Sequence, residues 1–168
     1  VQTEVINVDQ SPRGRLARMP NHTFVTLSGV SVPRLSRATE QARACLEKAE
    51  CALRRFGSDF LSVARTWMWL KDILSWYDDF NGVRNRFFTE RGLIGQGSRQ
   101  LMPASTGIGL GTADSSDCAM DLYAVLEPSG AIDYLQAGGR QKSAFEYGSA
   151  FSRASRTTTP GSTCTPTS

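Results

Sequence analysis

A single histidine, His22, and four cysteines at positions 45, 51, 118 and 164 leave this 168-residue chain short of the usual donors for a zinc site. Structural zinc is held by closely spaced thiolates and imidazoles, and here there is neither C-x-x-C spacing nor a second histidine. No metal and no cofactor is therefore expected. The chain also lacks any apolar run near the ~20 residues of a membrane span, and its first residues lack the basic-then-apolar pattern of a signal peptide. That excludes a membrane partner and predicts a cytoplasmic protein, in which the Asn21-His22-Thr23 sequon has no consequence. Net charge is only +3, with the arginines scattered rather than gathered into a stripe, so no nucleic-acid partner is expected. Residues 157–168 contain no aliphatic or aromatic side chain, cannot add to a core, and read as a flexible tail.

What is present is ordinary for one globular domain: 40% hydrophobic and 21% charged residues in a length that a single core can serve. Residues 1–20 show no periodicity and read as an irregular arm or a short edge strand. Residues 23–30 are β-branched and aromatic, as in a strand closing at Gly29, and Pro33 bars further ladder pairing. From Ala38, the positions Ala42, Cys45, Leu46, Ala49, Leu53 and Phe56 recur at helical spacing, while Arg43, Glu47, Lys48, Glu50 and Arg54 take other faces. Thr39 or Ser36 is a candidate N-cap, Gly57 is placed to end the helix, and Cys45 reads as a small core residue. Phe60 to Leu70 reads as a strand. A second helix is expected from Ser75 or Trp76, with Asp78 and Asp79 in its first turn and Phe80, Val83, Phe87 and Phe88 as its buried stripe. Gly92 to Gln100 reads as a loop, 104–110 as a strand, and 120–126 as a strand with two distinct faces. Pro128-Ser129-Gly130 marks a turn from which Ala131–Leu135 would pair back. Gly138-Gly139-Arg140 reads as a linker.

Strand, helix, strand, helix, strand, strand in this order, with Pro103-Ala104-Ser105-Thr106-Gly107-Ile108-Gly109 on the penultimate strand, resembles the Rid (YjgF-like) superfamily. The resemblance implies an α+β domain over 21–137, a mixed sheet packed on two helices. It also implies a homotrimer with a central barrel and small-molecule pockets between subunits. In that family's deaminating members an arginine on the Pro-Ala-Arg-Thr strand holds a substrate carboxylate, and a glutamate on the last strand handles water. Here those positions are Ser105 and Tyr123. A hydroxyl cannot replace a charged bidentate fork, and a phenol is a poor carboxylate, so imine hydrolysis is not expected.

Arg65-Thr66-Trp67, Asp79-Phe80-Asn81 with Arg84-Asn85 and Phe87-Phe88, the Pro103 strand, and Tyr147-Gly148-Ser149-Ala150-Phe151-Ser152-Arg153-Ala154 are similar to the N-terminal half of the chorismatases. The resemblance implies a small carboxylated, chorismate-like ligand of secondary metabolism, held by Ser105, Thr106, Tyr123, Tyr147, Arg153 and Trp67. It casts residues 138–168 as a linker and tail standing where a second half would begin. Two other readings accompany it, a non-catalytic remnant or assembly partner and a Rid-type enamine or imine hydrolase. Catalytic residues are not assigned: Asp121, Glu127 and Glu146 are the carboxylates near the pocket strands, and none lies in a recognisable catalytic motif. Arg65, Arg84, Arg86 and Arg153 are the candidate anion binders, with Arg153 favoured by its motif.

Overall fold

The computed structural model describes residues 1–95, 100–128, 130–137, 140 and 142–157. Strands β1 (Gln2–Val8), β2 (Ser11–Met19) and β3 (His22–Ser31) precede helix α1 (Ala38–Arg54). Strand β4 (Val63–Leu70), helix α2 (Tyr77–Glu90), β5 (Ala104–Ile108) and β6 (Cys118–Glu127) follow, then the short strands β7 (Ile132–Leu135) and β8 (Ala154–Thr157). Six strands form one sheet in the order β1-β2-β3-β6-β4-β5, with β4 and β5 parallel and the other pairs antiparallel. The fold is α+β, a mixed sheet covered on one face by two helices. No helix among the described residues is long and apolar enough to cross a membrane.

Residues 1–20 are not an irregular arm. They form a β-hairpin that extends the sheet, with Val8 opposite Ser11 and β2 paired along β3. The turn is Asp9-Gln10, both with positive φ, 49° and 63°. That conformation is usually announced by Asn-Gly or Asp-Gly, and here a glutamine stands in the glycine's place. Each strand also sends just one fully buried apolar side chain into the core, Ile6 and Leu16, so no alternation is visible in the sequence. Gly14 is required for contact: a Cβ there would come within 2.0 Å of the Thr26 carbonyl oxygen.

The helices follow their predicted stripes. Ala42, Cys45, Leu46, Ala49 and Leu53 of α1 and Phe80, Val83, Phe87 and Phe88 of α2 are buried against the inner sheet face, with Cys45 Sγ 3.5 Å from the Cys118 carbonyl oxygen. Neither predicted N-cap is used; Arg37 caps α1 without a side-chain hydrogen bond. At its end Gly57, φ +70°, donates to Arg54 O and Ser58 donates to Leu53 O, the paired bonds of a left-handed glycine stop. Glu50, expected on an outer face, is buried because Arg91 donates to both its oxygens at 2.8 and 2.9 Å. Ala131–Leu135 does not pair back on the preceding strand. Instead β7 pairs with β8, so residues through Thr157 are part of the fold. The predicted tail beyond Thr157, Cys164 and the predicted linker glycines at 138 and 139 lie outside the described residues.

Candidate functional site

The outer sheet face collects three of the predicted ligand residues. Alternation along β4, β5 and β6 puts Trp67, Thr106 and Tyr123 there, and Trp67 and Tyr123 line a shallow cavity of about 570 Å³ together with Thr26, Trp69 and Asp121. Arg65 stacks over Trp67 at 4.9 Å and donates to Thr106 Oγ1 at 2.9 Å. Tyr123 stacks on Phe24 at 5.6 Å, and burial raises its phenol above the ordinary value, so it does not stand in for a carboxylate. Asp121 is fully engaged, accepting from Gly29 N, Ser28 Oγ and Trp69 Nε1. Glu127 accepts from Thr23 Oγ1 and Glu146 from Ser143 N. All three candidate acids therefore have structural partners.

Ser105 faces the other way, accepting from Thr66 Oγ1 at 3.0 Å. Gly107, on the same side of β5, admits α2: a Cβ there would lie 3.2 Å from Ile73 Cδ1 and 3.8 Å from the Tyr77 ring. Tyr147 and Arg153 belong to the segment between β7 and β8, which crosses α2 through the hydrogen bond from Asn85 Nδ2 to Gly148 O. The six predicted residues are thus divided between two faces of the sheet rather than gathered into one pocket.

The side chain that organises the inner site is Arg84, which α2 places one turn after Phe80 and Asn81. It is only 3% exposed. Its guanidinium carbon is 5.0 Å from the Phe80 ring centroid and 5.2 Å from that of Phe151, and the group donates from Nη2 to Asn81 Oδ1 at 2.7 Å. Burial lowers its pKa from the ordinary arginine value to about 10, opposed by Tyr77 and Tyr147. It stays cationic at neutral pH. No carboxylate pairs with it among the described residues, and its Nε has no hydrogen-bond partner. Next to it Arg153 stacks on Tyr147 at 5.4 Å and on the same Phe151 ring at 5.6 Å, donating to the Lys142 carbonyl oxygen. The arrangement is a buried cation with one unpartnered donor, in contact with aromatic rings and phenols.

The sequence alone favours Arg153 over Arg84, because Phe80 at i−4 on α2 is visible there but the contact with Phe151, far along the chain, is not. Tyr77 gave no signal beyond its place at a helix start.

This topology decides the fold. It is the YjgF fold. The Escherichia coli YjgF structure superposes with a TM-score of 0.58 at 17% identity, over 73% of this chain and 93% of that one. Haemophilus influenzae HI0719 matches at 0.58 and 20% identity, over 76% and 100%. Escherichia coli TdcF, solved with bound serine, matches at 0.56 and 17%, over 68% and 87%. No protein-family model and no curated protein matches the sequence. At these identities the likeness carries the fold alone, and it says nothing of chorismatases.

Proposed function

We propose that this chain binds a small carboxylated metabolite, chorismate-like in carrying its carboxylate on a compact unsaturated frame, at Arg84. The observation that carries the reading is the buried guanidinium with an unpartnered Nε and no carboxylate among the described residues. Leaving a charge in such surroundings costs several kcal/mol, a cost that a bound carboxylate offsets. The guanidinium offers a flat fork of donors, which suits the flat fork of a carboxylate. Ser105, Tyr77 and Tyr147 supply hydroxyls on the same side. Among YjgF-fold proteins, TdcF holds serine, itself a small carboxylate.

The reading is of binding rather than of imine hydrolysis, since Asp121, Glu127 and Glu146 are committed elsewhere. A homotrimer that covers the outer sheet face is the assembly that accompanies it. Calorimetric titration with chorismate, with L-serine and with their methyl esters tests the site. At least one acid should bind, its ester should bind roughly ten- to a hundredfold more weakly, and Arg84→Met should lose the difference, the scale of a charged hydrogen bond. Equal affinity for acid and ester, or unchanged binding by Arg84→Met, would remove Arg84 from the site.

A further inference from the structure

Arg84 is closed off by the chain itself. Phe151 roofs the guanidinium, and the segment leading to it runs across α2, held there by Asn85 Nδ2 on the Gly148 carbonyl oxygen at 3.0 Å. Beneath this segment two polar atoms are buried without partners, Arg84 Nε and Asn85 Oδ1. A permanently closed cover would leave both unsatisfied in every state, which folded proteins avoid.

We propose that residues 142–151 form a strap that opens to admit the ligand and closes on it, with Gly148 giving way as it peels from α2 and Ser152 as the fixed end from which Phe151 swings. The proposal rests on the reading of Arg84 as the anion site. Ser152 is an anchor: fully buried, it donates from N to Pro103 O at 3.0 Å and from Oγ to Met102 O at 2.6 Å, and accepts from Gln136 Nε2 at 2.8 Å. Gly148 has φ +85° and open space where a Cβ would be, a backbone state that glycine enters and leaves at little cost. Among the described side chains of the strap, the fully buried ones are small, Ala144, Ser149 and Ala150, while Tyr147 is 53% exposed. Peeling these three side chains back exposes little apolar surface, and the low-stability end of a fold is where such movable covers lie. When closed, the strap brings Tyr147 and Phe151 against Arg84, so the same movement that admits an anion removes water from around it.

The test uses the reactivity of Arg84 itself. Phenylglyoxal labelling of the full chain, read residue by residue by mass spectrometry, reports access to the guanidinium, with exposed Arg86 as internal reference. Gly148→Ala strains the closed backbone and Asn85→Ala removes the holding bond; each should speed labelling of Arg84 about fivefold relative to Arg86. Amide exchange at Met120 and Leu122 in β6 should stay unchanged. Labelling of Arg84 that is unaltered in both variants, or that rises only in step with exchange at β6, would overturn the strap. Chorismate and L-serine, added separately, separate the two ideas. Faster labelling in the variants with no protection by either acid keeps the strap and sinks the carboxylate reading. Calorimetric binding of an acid with unchanged labelling does the reverse.

Discussion

Arg84 imposes a cost on the free protein that a neutral side chain of similar length would not. A guanidinium that loses water and gains two rings, one amide oxygen and a phenol is less well solvated than in the unfolded chain, and the lowering of its pKa from the ordinary arginine value to about 10 expresses that deficit. Because the folded value lies below the unfolded one, the unfolded chain holds the proton more tightly. The penalty is thus fully present below pH 10 and is relieved as pH rises from about 10 toward the ordinary arginine value. Arg84→Met should accordingly stabilise the ligand-free protein by about 1–4 kcal/mol at neutral pH while abolishing binding, the usual result when a buried charge gives way to a packed apolar chain. Urea unfolding of both proteins at pH 7 and pH 11 checks this. The gap should narrow at the higher pH, and a variant less stable than the parent at pH 7 would mean that an unrecognised partner already satisfies the guanidinium.

Among the elements, the helices were legible in the sequence because their signals are repeated: five positions of α1 and four of α2 fall on the predicted stripes, and Gly57 marks a stop whose geometry needs a left-handed residue. The first hairpin was not legible, since its two strands bury one core residue each and its turn uses Gln10 where glycine is the expected signal. The same turn makes a prediction. With φ 63° at position 10, Gln10→Gly should relieve the left-handed penalty on a side-chain-bearing residue and raise stability by roughly 0.5–1 kcal/mol, the added unfolded-state freedom of glycine offsetting part of the gain. Chemical denaturation with an unchanged slope would register it as a shift in midpoint alone; a loss of stability would show that Gln10 makes a contact worth more than its strain. The candidate site was half legible for a related reason. Ser105 marked an altered pocket strand, and Tyr147 and Arg153 stood in a recognisable motif, but only tertiary packing brings Phe151 over a helix residue 67 positions earlier.

Across the whole molecule, the sheet presents two faces of unequal completeness. The inner face is closed by α1 and α2 around Phe60, Phe80, Phe87 and Phe88, all at most 2% exposed. The outer face has no helix among the described residues. It carries Phe24, Trp67, Trp69 and Tyr123, with a cavity of about 570 Å³ among them. Its polar groups are already spoken for, as Trp69 Nε1 bonds Asp121 and Arg65 bonds Thr106, so covering this face would strand few donors. At roughly 25 cal/mol per Å2 of apolar surface removed from water, burial of such a face between copies of the chain is strongly favourable, and closed symmetry lets each copy cover another. If the homotrimer proposed above forms, light scattering at micromolar concentration gives three times the chain mass. Trp67→Glu sets a charge in the centre of that face without touching the inner core, so it should yield a monomer whose circular dichroism matches that of the parent. Because Arg84, Tyr77, Tyr147 and Phe151 all come from one chain, the monomer should still bind the carboxylate. A parent protein that scatters as a monomer would sink the trimer and leave the Arg84 site standing, whereas a monomeric variant that no longer binds would mean that a neighbouring copy helps to build the site.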